Sequence, residues 1–185
     1  MAEFRRVEVD RGEAPAVYLV VGIPGSGKTS VARELAGRFP LAAHIEVDAL
    51  QDMVVSGGRW PGPEPEDEAD RQLFLRARNA CLLARSFHAA GVVPVIDDVV
   101  VRSAHLGFYR EHLAGLPVHL VVLAPSPRVA AARIAARDKQ LAHDWGFLDA
   151  VMRAEIAEQG RWIDTSELGL DQTVALALAD HAMSI

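Results

Sequence analysis

The sequence predicts an α/β fold in which helices cover both faces of a five-stranded, parallel, doubly wound sheet, giving a three-layer αβα sandwich. Two observations predict it. Short apolar, β-branched runs recur without the alternation of a half-exposed strand, as expected for strands buried on both faces. Between them lie longer stretches of helical periodicity, so strand and helix alternate along the chain.

The first run, Ala16 to Val21, reads as a central strand. Glycines and Pro24 break it, and Ser30 to Phe39 reads as a helix that ends before Pro40. His44 to Val47 is a second strand running into Asp48, followed by a short helix to about Val55. Residues Ser56 to Pro65 are too rich in glycine and proline for regular structure. Glu66 to Ala90 carries the pattern of a long amphipathic helix closed by Gly91. A third strand, Val92 to Ile96, meets Asp97 and Asp98; Pro94 sits awkwardly within it because it lacks an N–H. Ser103 is positioned to cap a helix through Leu113, and Val118 to Leu123 is the fourth strand. Ser126 and Pro127 make an N-cap and first-turn pair for a helix to about Arg137. A small lid from Lys139 to Gly146, another helix, a fifth strand at Arg161 to Ile163 and a final helix from Asp171 complete the order. With no repeat and no linker, residues 1–185 are expected to form one domain.

Composition narrows the function classes. A net charge of −6 argues against a broad footprint for duplex nucleic acid. Only Lys28 and Lys139 among the 19 cationic residues are lysines. Cys81 is the one cysteine, lies in an apolar stretch and reads as a buried small hydrophobe. No apolar run is long enough to span a bilayer, and the charged N-terminus lacks a secretory core, so a cytoplasmic protein is expected.

Gly22-Ile23-Pro24-Gly25-Ser26-Gly27-Lys28-Thr29 fits G-x-x-x-x-G-K-[ST] at every fixed position, and it stands between a buried strand and a helix. This is a phosphate-binding loop, or P-loop, with the chemistry each part requires. Backbone N–H groups must converge on phosphate oxygens, which favours Gly22, Gly25 and Gly27. Lys28 supplies an ammonium for the β- and γ-phosphates, and the Thr29 hydroxyl can ligate Mg²⁺. ATP or GTP with Mg²⁺ is therefore the expected ligand, held also by Pro24, Ser26 and Ser30 of the same loop.

Carboxylates end two neighbouring strands at the edge where such sheets bind ligands. The strand Val93 to Asp97 has the form of a Walker B strand, whose terminal acid holds the Mg²⁺ shell; Asp97 is the metal candidate, but alternation points Asp97 and Asp98 opposite ways and leaves open which faces the metal or merely caps the next segment. Asp48 has two readings, a base for an acceptor hydroxyl or an N-cap for the next helix. On the helix leading to the lid, Arg133 and Arg137 are four apart and share a face. They read either as stabilisers of transferring phosphate or as surface ion-pair partners, with Arg128 on the same helix.

Other features carry less. His105 and His112 read as helix surface. Trp60 either covers an apolar acceptor or is a loop aromatic. The acids from Glu64 to Asp70 suit a helix N-terminus.

On the P-loop, Val47-Asp48-Ala49-Leu50, Val95-Ile96-Asp97-Asp98-Val99 and Arg133 to Arg137, the chain resembles the chloramphenicol phosphotransferase-like branch of the small P-loop kinases. That branch, AAA-type ATP-binding kinases, is similar in turn to zeta-toxin and polynucleotide kinase domains. The resemblance implies that Asp48 is the general base, that Arg133 and Arg137 are lid arginines, and that Ile163 to Ser166, including Thr165, lies near the adenine. Residues 56–65 depart from the chloramphenicol enzyme where the acceptor would lie, which argues against chloramphenicol itself. The function expected is transfer of a γ-phosphate to a hydroxyl of a small molecule such as an antibiotic, nucleoside or sugar. The alternatives are a 5′-OH polynucleotide kinase and a nucleotide-dependent switch.

Overall fold

A computed structural model of the chain describes residues 15–62, 64, 66–136 and 145–179. Five parallel strands form one sheet in the order β2-β3-β1-β4-β5. These are β1 (Val17–Gly22), β2 (Ala42–Glu46), β3 (Val93–Asp98), β4 (Val118–Leu123) and β5 (Arg161–Ile163). The helices between them are α1 (Lys28–Gly37), α2 (Val47–Asp52), α3 (Asp67–Ala89), α4 (Ser103–His112), α5 (Pro127–Ala135), α6 (Leu148–Ile156) and α7 (Leu170–Leu178).

Strand alternation sorts the core into two sides. Tyr18 and Val20 of β1 pack with Val31 and Leu35 of α1 and with Val174 and Ala177 of α7. Val17, Leu19 and Val21 face the opposite layer, against Ala77, Ala80 and Ala84 of α3, Leu106 and Tyr109 of α4, and Met152 and Ile156 of α6. Every residue of β1 and β3 is buried, which is why their sequences show no polar alternation. The predicted three-layer arrangement and five parallel strands are the ones observed.

The chain runs from β1 through α1 to the far edge at β2, then returns through β3 and crosses β1 to β4 and β5. Its direction therefore reverses at β1. The loop after β1 opens at that reversal, beside the C-terminal end of β3, where an open sheet leaves a crevice.

Several boundaries differ from the sequence reading. α1 opens at Lys28 rather than Ser30, and Val47 turns from strand into the first residue of α2, which stops at Asp52. Asp97 and Asp98 lie inside β3, not beyond it. Pro94 is accommodated near the start of β3, one residue before pairing with β1 begins at Val95, so its missing N–H costs little of the ladder. Ser103 is the first helical residue and not the cap; its N–H and hydroxyl donate to Glu155 Oε2 of α6 at 2.9 and 3.2 Å. Ser126 does cap α5, accepting from the Val129 N–H, with Pro127 behind it. α5 ends at Ala135; Arg137 and the lid segment up to residue 144 lie outside the described residues. Among the described residues no helix is long and apolar enough to cross a membrane.

Candidate active site

The loop between β1 and α1 is shaped by glycine at points where a side chain has no room. A Cβ on Gly22 would come within 2.6 Å of Ser26 Oγ and 2.7 Å of the Leu123 carbonyl oxygen. A Cβ on Gly25 would run into the Ala130 carbonyl of α5, and φ of +82° already disfavours any L side chain there. Gly27, also at positive φ, is the N-cap of α1. Its conformation turns the chain into the helix, so the first N–H groups of α1 point out of the loop with the positive end of the helix dipole. Ser26 is buried with its hydroxyl unpartnered, Lys28 and Thr29 are half-buried, Pro24 is partly exposed and Ser30 is exposed.

The two carboxylates that end β3 have separate surroundings. Asp98 is 1% exposed and faces α4. Its Oδ2 accepts from the Tyr109 hydroxyl at 2.8 Å and lies 3.2 Å from His105 Nε2, while its Oδ1 accepts from the Val99 N–H at 2.7 Å. Burial pushes its proton affinity up, but His105, Arg76 and Tyr109 outweigh burial and hold it at about 2. Asp97 points to the α1 side, by alternation from Val95. It is 2% exposed, its Oδ2 accepts no hydrogen bond, and His44 Nε2 lies 3.5 Å from that oxygen. The carboxylate left with an open oxygen is thus Asp97.

Asp48 lies in the first turn of α2, whose N-cap is Glu46, so the capping reading of Asp48 is not the one observed. Burial raises the proton affinity of its half-buried carboxyl; Lys28 and Arg76 oppose that rise, and Asp98 and Asp97 add to it. The charges that act on Asp48 are thus the P-loop lysine, an arginine from α3 and both β3 carboxylates.

Arg133 is on the packed side of α5 with the buried Ala130, not among surface ion pairs. Its Nη1 donates to the Ser26 carbonyl at 3.3 Å and to Thr165 Oγ1 at 3.1 Å, and its Nη2 donates to the Thr165 carbonyl at 2.7 Å. One guanidinium therefore ties the P-loop to the segment after β5. Thr165 is buried and also donates to the Ser26 carbonyl. The turn that follows is fixed by Asp164, which accepts from the Ser166 N–H and hydroxyl, and by Ser166 Oγ, which accepts from the Ser126 N–H. Ala132, Ala136 and Arg128 are exposed.

The structure adds residues that the sequence reading passed over. Gln51 and Gln72 are buried and hydrogen-bonded to each other at 2.9 Å. Gln51 also donates to the Arg59 carbonyl, while Gln72 accepts from the Arg59 N–H and donates to the Gly57 carbonyl. Together they hold the loop after α2 against α3. Beneath that loop Arg76 is 5% exposed, and its Cζ sits 4.9 Å from the centroid of the Trp60 ring. The signal was available: Gln72, Arg76 and Ala80 fall four apart on the buried face of a helix, where polar residues call for a reason. His105, expected on the surface, is buried against Asp98 and stacked on Tyr109. Two of the acids expected to serve the helix dipole have direct partners, Glu68 with Arg71 and Gln72, and Glu66 with Arg59.

The geometry can be set beside known proteins. A family model described as an AAA domain matches residues 17–159, and the chain belongs to that family. No curated protein matches the chain. Among solved structures, it resembles a sugar kinase from Janibacter sp. HTCC2649, with TM-score 0.66 and 22% identity over 89% of this chain and 93% of the other. The tunicamycin resistance protein of Deinococcus radiodurans gives TM-score 0.67 and 21% identity over 92% and 97%. A gluconokinase from Sinorhizobium meliloti 1021 gives 0.59 and 23% over 91% and 93%. At these identities the likeness shows a shared fold.

Proposed function

Taking membership of the AAA-domain family as premise, we propose that this protein is a phosphotransferase that moves the γ-phosphate of ATP or GTP to a hydroxyl of a small molecule. The observation that carries the reading is Asp48, a carboxylate placed opposite the P-loop lysine with no capping duty of its own. The kinases among the solved structures of this fold favour the same reading, and the motifs around Asp48 and Asp97 support the finer assignment to the chloramphenicol phosphotransferase-like branch.

In this reading the P-loop N–H groups, Lys28 and the start of α1 bind the nucleotide phosphates. Arg133 and Thr165 fix the side of the site assigned to the base, and the resemblance gives Arg137 the role of a lid arginine. The residues present fit Mg²⁺: Thr29 offers a hydroxyl, and Asp97 offers a buried oxygen that accepts no hydrogen bond among the described residues. Bound there, Mg²⁺ neutralises phosphate charge. Asp48 accepts the acceptor's hydroxyl proton as the acceptor oxygen bonds to the γ-phosphorus. The bond from that phosphorus to the β-phosphate oxygen breaks, and its electrons leave with the nucleoside diphosphate.

The test is transfer of labelled γ-phosphate from ATP and GTP to a panel of hydroxylated antibiotics, nucleosides, sugars and short 5′-OH oligonucleotides. Labelled product should vanish in Lys28→Ala and fall by about 10²–10⁴-fold in Asp48→Asn with nucleotide binding kept. Near-normal transfer by Asp48→Asn would refute the role given to it. Nucleotide-dependent capture of a protein partner, with no transfer, would favour a switch.

A further inference from the structure

Arg76 has no place in the mechanism above, and its surroundings are unusual. Its side chain rises from the buried face of α3 among Ala77, Ala80 and Ala84. Nε and Nη1 are buried and hydrogen-bond to nothing. The nearby acid, Asp98, acts on Arg76 through charge, and its two oxygens accept from the Val99 N–H and the Tyr109 hydroxyl instead. Asp48 faces the same guanidinium electrostatically. Leaving a buried donor unsatisfied costs about 1–3 kcal/mol, and more when the donor is charged. A guanidinium retained at that cost, with its donors in one plane, is built to receive an oxyanion by two parallel hydrogen bonds. The Trp60 ring lies over the group, its centroid 4.9 Å from Cζ, and is itself 46% exposed, so it covers the guanidinium from the solvent side. The Gln51–Gln72 pair holds the backbone of Arg59, next to Trp60, in place.

We infer that Arg76, roofed by Trp60, receives an oxyanion of the acceptor, so that the hydroxyl phosphorylated belongs to a molecule that also carries a carboxylate, phosphate or sulfate. This rests on the kinase reading and names its substrate class. Held by Arg76, such an acceptor has its hydroxyl on the side of Asp48. Of the acids from Glu64 to Asp70, Glu66 and Glu68 are paired with Arg59 and Arg71.

Two measurements separate this inference from the kinase reading. In the transfer assay, acceptors are offered in matched pairs: gluconate with glucitol, glycerate with glycerol, and a hexose sulfate or phosphate with the free hexose. The charged member should be used at least tenfold better, and which charged group is preferred distinguishes carboxylate from phosphate and sulfate. Arg76→Lys should raise KM for it at least tenfold with a much smaller change in kcat, and Trp60→Ala should do the same more weakly. Preference for the neutral member, or a KM unmoved in Arg76→Lys, overturns the inference and leaves the kinase standing. In calorimetry, protein saturated with Mg²⁺ and a non-hydrolysable ATP analogue, which blocks the P-loop, is titrated with inorganic sulfate. Wild type should bind sulfate, Arg76→Gln at least tenfold more weakly, with Arg76→Lys between them. Absent sulfate binding, or equal binding in wild type and Arg76→Gln, overturns the inference. So does a loss confined to affinity for the nucleotide analogue, which would place Arg76 on the donor. If no acceptor is phosphorylated the kinase reading fails, and the sulfate titration still decides the anion site.

Discussion

Asp97 and Asp98 are adjacent, both buried, and predicted to fail in opposite ways when neutralised. In Asp98→Asn the amide nitrogen must replace one of two oxygens that accept from Val99 N–H and Tyr109 O–H, so a donor is set against a donor. His105 and Arg76 also lose the charge they face. A carboxyl held at about 2 against an ordinary 3.8 contributes about 2 kcal/mol to the folded state at neutral pH. Adding the mismatched donor brings the loss to about 3 kcal/mol, within the range for breaking a buried charge pair. For a chain of this size that lowers Tm by about 9 °C. The sign with pH follows from a depressed carboxyl. The stabilisation is fully present above the ordinary value and disappears as pH falls through 2, so wild type and variant should converge in acid. Asp97→Asn, by contrast, removes a buried charge with an open oxygen and relieves repulsion of Asp48. It should keep or raise Tm while Mg²⁺-dependent nucleotide binding is lost. Thermal and urea unfolding followed by circular dichroism from pH 3 to 8, with nucleotide titrations with and without Mg²⁺, measures all of this. If Asp98→Asn unfolds with wild type while Asp97→Asn is the destabilised variant, the separation of roles is wrong.

Three further outcomes are expected. Gly25→Ala should lose about 2 kcal/mol in urea unfolding and at least tenfold in nucleotide affinity, because its φ is positive and its Cβ meets the Ala130 carbonyl. Asp48 must be deprotonated to act, and burial raises its proton affinity, so the acid limb of kcat/KM should lie above the 3.8 of an ordinary aspartate; Asp48→Asn should abolish that limb in a pH profile. Burial pushes the Cys81 thiol up to about 12, so a thiol reagent at pH 8 should leave the native protein unlabelled and titrate one thiol in urea.

The layers of the fold were legible because the inner strands are apolar runs, broken by His119 in β4 and by the two acids that end β3, and the P-loop because its glycines and lysine admit few other backbones. Asp97 against Asp98 was half legible: alternation says that the two diverge, but only Tyr109 and His105, arriving from α4, show which one is consumed. Arg133 was singled out for charge stabilisation, while its observed bonds to Ser26 and Thr165 depend on residues far apart in the chain that no local pattern brings together. Arg76 and Gln72 were hidden in a long amphipathic helix, since periodicity marks which face is buried and not what a polar residue on that face is for.

The seat of the loop after α2 has a consequence for how the protein can diverge. Gln51 and Gln72 grip it through main-chain atoms alone, the Gly57 carbonyl and the Arg59 N–H and carbonyl. Amides carry no charge, so that grip is indifferent to pH and salt. Side chains from Met53 to Trp60 can therefore be exchanged without releasing the loop, apart from Gly57 at positive φ and Gly58, where a Cβ would meet the Val54 carbonyl. Over generations, such an arrangement lets the side chains of this loop change while its seat on α3 is inherited unchanged.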